Sequence, residues 1–253
     1  MRSSRAIFWT FYAAVYDAIW DSPITVTLAE RVCERVVGAG SILDLGCGTG
    51  LVALHLKAGR RVTAVDASAA MVARARRRAA ADVYHVGVAP PPAESFDAAI
   101  AINVLQVCEN PASVLDTALS ATEGPVVAVW PTDEVSLGRL AGWERSGGAS
   151  GSRIVRSLLL RVLVGMPGSV LGIRRVSDAR LRALAIDAAR QAGRSLTFQP
   201  VEETGCIEAI FGATDADRAT ADVAQLVSSR LLPRSSENMG TPADGEDLIV
   251  PLF

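Results

Sequence analysis

The chain has 253 residues, half of them hydrophobic, and a formal net charge of −2. That length allows one large domain or two small ones with a sizeable core, and the charge balance excludes a strongly basic protein that binds nucleic acid through bulk charge. Cys33, Cys47, Cys108 and Cys206 show no paired C-x-x-C spacing, so no metal site and no disulfide framework is expected, and a reducing cytoplasm fits.

The first twenty residues, MRSSRAIFWTFYAAVYDAIW, join basic residues to an apolar stretch as a secretory leader does. Asp17 and Asp21 close that stretch, no A-x-A cleavage pattern follows, and it is too short to cross a membrane. Phe8, Phe11, Tyr12, Val15, Tyr16 and Ile19 recur at helical spacing, which predicts an amphipathic helix. Pro23 starts a second helix, with Ala29, Val32, Cys33, Val36 and Val37 on one face and Gly38 and Gly40 at its end.

Strands and helices alternate from Ser41 onward. SILDL, RVTAV, DVYHVGV, FDAAIAIN and PVVAVW read as strands; LVALHLKA, SAAMVARARRRAA and PASVLDTALSAT read as helices. Such a rhythm predicts a doubly wound, mostly parallel α/β sheet with helices on both faces. It stops after Trp130, and residues 131–176 read as irregular helices around the interrupted apolar run LLLRVLVGMPGSVLGI. SDARLRALAIDAARQAG is a helix with a Ser177 or Asp178 cap and a Gly193 stop. RSLTFQPVE and CIEAIFGA are expected to pair antiparallel at the sheet edge, completing seven strands. One more helix is expected over DRATADVAQLVSSRLL, then a mobile tail over 233–253.

The loop after the first strand, Gly46-Cys47-Gly48-Thr49-Gly50, opens a helix, a place suited to a polar or anionic group. Its G-x-G-x-G spacing is one residue shorter than the dinucleotide fingerprint. Asp44, two residues before it, repels a pyrophosphate and attracts an ammonium group. Asp66 ends the second strand, where a carboxylate accepts hydrogen bonds from a ribose diol. The implied ligand carries a ribose and an amino group.

ILDLGCGTG together with VTAVDASAAMVARAR resembles the class I S-adenosylmethionine-dependent methyltransferases, and the resemblance extends through SFDAAIAINVLQVCENPASVL. It implies a Rossmann-like sheet of seven strands with an antiparallel edge strand. It also implies S-adenosylmethionine as cofactor, S-adenosylhomocysteine as product and a small-molecule acceptor. By resemblance, Asp44 and the amides of Gly46, Cys47, Gly48 and Gly50 hold the methionine portion. Asp66 holds the ribose, Ala67 and Met71 line the adenine, and Asn103, Val104 and Leu105 lie beneath the sulfonium. The domain then spans 1–232, with an N-terminal helical lid (1–37), a cofactor-binding core (41–130), a substrate-side insertion (131–176) and a closing helix and strand pair (177–213). A monomer or homodimer without membrane insertion or nucleic-acid binding is expected.

Two positions depart from that family. Val88 or Ala89 stands where an aspartate often bonds the adenine amino group, and Gln106 and Val107 replace a histidine pair. His55 and His85 read as structural, and Arg74, Arg76, Arg77 and Arg78 as a solvated helix face. Tyr12, Tyr16 and Gln106 remain as catalytic candidates. The expected reaction is methyl transfer to a hydrophobic metabolite or natural product, driven by proximity. A cofactor-dependent cyclisation without transfer and a silent, partner-binding homologue are the alternatives.

Overall fold

β-Branched and alanine-rich runs form the strands at the expected places in the computed structural model, which describes residues 4–90, 95–170 and 175–214. The helix expected over 217–232 and the tail beyond it lie outside the described residues. The order is α1 (Ser4–Trp20), α2 (Pro23–Arg35), β1 (Ser41–Leu45), α3 (Ala53–Leu56), β2 (Arg61–Asp66), α4 (Ala69–Arg77), β3 (Val83–Val86), β4 (Ala98–Ile102), α5 (Pro111–Ser120) and β5 (Val126–Pro131). There follow α6 (Leu137–Ser146), α7 (Gly151–Val170), α8 (Asp178–Ala192), β6 (Arg194–Val201) and β7 (Cys206–Thr214).

The seven-stranded sheet runs β3-β2-β1-β4-β5-β7-β6. Pairings from β3 through β5 are parallel, and β7 is antiparallel to both β5 and β6. The strand order reverses beside β1, so its carboxyl end is the crevice in which a doubly wound sheet holds ligands. Residue alternation splits the core into two layers. Ile42, Ala98, Ile100 and Val127 face α2 and α3, while Leu43, Leu45, Ala99, Ala101 and Trp130 face α5 and α8.

Helix ends follow their local chemistry. Ser68, Asn110, Ser136 and Ser177 accept a hydrogen bond from the amide three residues on, and Gly193 ends α8 in the left-handed conformation. Helix α2 is tied to the sheet by Glu208, a fully buried carboxylate on β7 that pairs with Arg35 at 3.1 Å and Arg31 at 3.5 Å.

Three expectations are corrected. Phe11 and Val37 do not join the buried faces assigned to them, being 74% and 75% exposed. The insertion is two regular helices rather than irregular ones, and α7 runs through Gly165 and Pro167. Its packing against α1 outweighs the intrinsic penalties of about 1 and 3 kcal/mol for those residues in a helix interior. Arg74 and Arg78 are not merely solvated, because both reach Asp17 of α1, at 3.5 and 2.6 Å.

Candidate functional site

The glycine loop turns sharply because three of its residues, Gly46, Gly48 and Gly50, have φ of +76°, +55° and +82°. Its amides are largely engaged within the protein. Gly46 and Cys47 donate to the Val65 carbonyl at 2.8 and 3.1 Å, and Gly50 donates to Cys47 at 2.9 Å. Gly48 donates to Asp66 Oδ2 at 2.9 Å, while Ser68 donates to Oδ1 of the same carboxylate at 2.8 Å. Each of those oxygens keeps a second lone pair for a ligand hydroxyl. Burial pushes the Asp66 carboxyl up, against the two amide bonds that hold it down.

Asp44 sits one strand away, on the same carboxyl end. It is 3% exposed and its Oδ2 is buried without a hydrogen-bond partner. Burial first, and then the charge of Asp66, pushes its pKa up to about 7. A buried carboxylate with an idle oxygen is costly, and a cationic ligand group relieves that cost. Burial, followed by Asp44 and Asp66, likewise keeps the Cys47 thiol protonated.

Helix α1 lies over this end of the sheet. A methyl group built on Gly48 would stand 3.5 Å from the Tyr16 hydroxyl, so Tyr16 covers the loop. Asp17 fastens the arrangement: it accepts a 2.6 Å hydrogen bond from Thr49 and pairs with Arg74 of α4 and with Arg78, which caps that helix. The helix carries a ladder of rings, Phe8, Tyr12, Tyr16 and Trp20, with successive centroids 5.5, 5.4 and 6.3 Å apart. Trp20 Nε1 donates to the Tyr12 hydroxyl at 2.6 Å. Burial raises Tyr12 to about 12 and raises Tyr16 further, with Tyr12 and nearby carboxylates adding to the effect on Tyr16. Both phenols therefore stay neutral at physiological pH.

Tyr16, Trp20, Thr25, Leu28, Asp44 and Asn103 are among the residues that line a cavity of about 30 Å³, as are Gly46, Cys47, Leu51, Val52 and Ile102. Asn103 adopts φ +53° and has a buried, unpartnered Oδ1. Gln106 braces it, donating from Nε2 to the Asn103 carbonyl at 3.0 Å.

The sequence-derived site residues divide accordingly. Asp44, Gly46, Cys47, Asn103 and Tyr16 come together at the cavity, with Gly48 and Asp66 directly beside it. Ala67 is exposed at the end of β2, and Val88 is 71% exposed after β3. Met71 packs under α1 with Phe8, Tyr12, Ala13 and Ile19. Val104 lies against Gly46, and Leu105 is fully buried in the α5 and α8 layer. Tyr12 and Gln106 support the site without lining it. The insertion was expected as a second wall, but none of its residues is among those lining the cavity; α2 supplies Thr25 and Leu28 instead. Asp17 and Thr49 were missed, since their pairing spans 32 residues and leaves no local pattern.

The loop's steric demands are testable. A Gly46→Ala methyl group would meet Val104 Cγ2 at 2.4 Å and Cβ at 2.5 Å, in a left-handed backbone. It is expected to cost about 2 kcal/mol or more in urea unfolding, against about 1 kcal/mol for Gly48→Ala, where only the backbone term applies.

Residues 43–122 match a family model described as a methyltransferase domain. The chain is 33% identical over 126 residues to malonyl-[acyl-carrier protein] O-methyltransferase of Serratia marcescens, an alignment covering 46% of this chain and 47% of that protein. An O-methyltransferase family protein from Burkholderia thailandensis is structurally similar, with TM-score 0.51, 12% identity, and coverage of 74% of this chain and 55% of that one. The plantazolicin methyltransferase BpumL, solved in complex with SAH, gives TM-score 0.56 at 10% identity, covering 83% of this chain and 96% of that one. The chain thus spans about half the length of the Serratia and Burkholderia proteins, and the two structural likenesses speak to the fold. Residues 43–122 are thus similar to a methyltransferase domain, and the shortened glycine loop with Asp44 near the end of β1 and Asp66 at the end of β2 fits the class I S-adenosylmethionine-dependent type.

Proposed function

We propose that the chain transfers the methyl group of S-adenosylmethionine to a small, apolar acceptor, releasing S-adenosylhomocysteine. The observation that carries this reading is the idle, buried oxygen of Asp44 beside a left-handed glycine turn and a second carboxylate, Asp66. The residues suit the cofactor chemically: Asp44 would pair with its ammonium, Asp66 would accept from its ribose hydroxyls, and the glycines permit close approach. When bound, the cofactor supplies an electrophilic methyl group on a sulfonium. The protein's own residues bind, orient and exclude water. Ile102, Leu28 and Val52 give the cavity apolar walls, and the Asn103 amide offers a hydrogen-bonding group.

Tyr16 is held as a neutral phenol, so it donates a hydrogen bond to an acceptor and does not abstract a proton. With Asp44 given to the ammonium, none of the described cavity residues is left as a general base. Transfer then rests on proximity and alignment. An amine or an acidic phenol is nucleophilic enough for that, and so is a carboxylate, which is ionised near neutral pH. The name of the Serratia relative places methylation on an oxygen of a malonyl group. A carboxylate acceptor is accordingly a second reading, favoured by the lack of a base among the described cavity residues.

Calorimetric titration with S-adenosylhomocysteine tests the cofactor site. Asp66→Ala is expected to weaken binding about 100-fold, the worth of hydrogen bonds to a charged group; undiminished affinity overturns the placement. Incubation with methyl-labelled cofactor and extracted metabolites tests the reaction. A labelled product, heavier by one methyl, formed with S-adenosylhomocysteine supports transfer. A product of unchanged mass, or no product, overturns it in favour of rearrangement or of a silent subunit.

A further inference from the structure

One face of helix α7 lies against α1. Ser157 and Arg161 both donate to the Ile19 carbonyl, and Leu160 packs on the α1 cluster. The opposite face carries Val155, Leu159 and Leu163, which are 58%, 59% and 64% exposed. Their spacing of four residues aligns them in one stripe along the helix. With Arg156 and Leu160 they border a shallow trough of about 560 Å³. Ile7 and Phe11 on α1 are also exposed, so five of the eleven exposed large hydrophobic side chains among the described residues sit on these two helices. Exposure on that scale marks a contact surface.

Charge identifies the partner. Between Leu137 and Leu163 the sequence has five arginines and a single acid, Glu144, while the whole chain is net negative; of these, Arg139 is paired with Glu134 at 3.3 Å. Glu144 is 1% exposed and paired with Arg161 at 3.4 Å. Arg145 and Arg156 stand exposed on α6 and α7. Among the described residues no helix is long and apolar enough to cross a membrane. The stripe is aliphatic, without the tryptophan and tyrosine anchors that dominate protein interfaces. Aliphatic side chains on a helix flanked by arginine suit the boundary between headgroups and acyl chains.

We propose that α7 docks its Val155–Leu159–Leu163 stripe on an anionic lipid surface, lying on the bilayer. This inference does not depend on the methyl-transfer reading, because it concerns the outer side of the α1–α7 pair.

Flotation of the full chain with vesicles tests it. Binding to phosphatidylglycerol-rich vesicles, weaker binding to pure phosphatidylcholine and release by high salt are expected. Val155→Glu/Leu159→Glu is expected to lower the bound fraction about tenfold, and Arg145→Glu/Arg156→Glu to remove the preference for anionic lipid. Circular dichroism and S-adenosylhomocysteine calorimetry, both unchanged in these variants, separate loss of docking from misfolding or loss of the cofactor site. Failure of the parent to float, or full binding by the Val155/Leu159 variant, overturns the proposal. So does a parent dimer in sedimentation that the same variant dissociates without any vesicle binding, which would assign the stripe to a second copy of the chain.

Discussion

Asp44→Asn is expected to melt higher than the parent at pH 8 and to lose most of its affinity for S-adenosylhomocysteine. The Asp44 carboxyl titrates near 7 in the folded protein, against about 3.9 in an unfolded chain. The folded state therefore binds this proton more tightly, and the group's contribution to stability falls as pH rises from about 4 through about 7. Above 7 the carboxylate is charged, buried and near Asp66. Removing that charge should return about 2 kcal/mol or more, a rise of roughly 4–8 °C for a chain of this size. The gain shrinks as the pH falls and is gone near pH 4. Scanning calorimetry at pH 5 and 8, paired with ligand titration, reads both effects. A lower melting temperature at pH 8, or intact ligand binding, contradicts the role given to Asp44. The same linkage makes the parent's affinity for the ligand decline as pH drops below about 7, since the ammonium pairs with the ionised form.

A second large effect is expected at the buried pair that holds α1 to the insertion. Arg161 and Glu144 are 6% and 1% exposed, and the guanidinium lies 4.1 Å above the Trp20 ring. Burial lowers the Arg161 pKa, while Tyr12 and Glu144 hold it up. Arg161→Met leaves Glu144 buried without its cation, with only the Ser157 hydroxyl still donating to it, and is expected to cost about 3–5 kcal/mol. Arg161→Met/Glu144→Gln removes both charges and is expected to recover most of that loss. Urea unfolding of the parent and three variants measures the cycle. Additive single effects would show that the pair is not coupled. Tryptophan fluorescence should also change in Arg161→Met, because Trp20 loses the cation over its face.

The centre of the sheet was legible because its signals are local. SILDL followed by three spaced glycines needs only a buried strand and left-handed turns, and the carboxylates ending β1 and β2 are placed by strand length alone. Ser177 and Gly193 bounded α8 as read, for the same reason. What the sequence hid depends on partners far along the chain. Asp17 served only as an argument against a leader peptide, yet it meets Thr49, Arg74 and Arg78. Glu144 and Arg161 were unremarkable charges until two helices folded over α1. Phe11 shares its spacing with Phe8 and Tyr12, but α1 turns it to the side that neither α4 nor α7 covers. The interrupted run after Leu158 read as irregular rather than continuous helix, because intrinsic penalties are visible in a sequence and the docking that offsets them is not.

Tyr16 over Gly48, and Asp17 on Thr49, have a kinetic meaning. If the cofactor binds as proposed, the cavity of about 30 Å³ must widen to take it, and Tyr16 and Trp20 of α1 are among the side chains that line it. Residence time would then depend on the same helix that offers Tyr16 to the acceptor. Product release and cofactor uptake would both then work against the contacts that Asp17 makes with Thr49, Arg74 and Arg78.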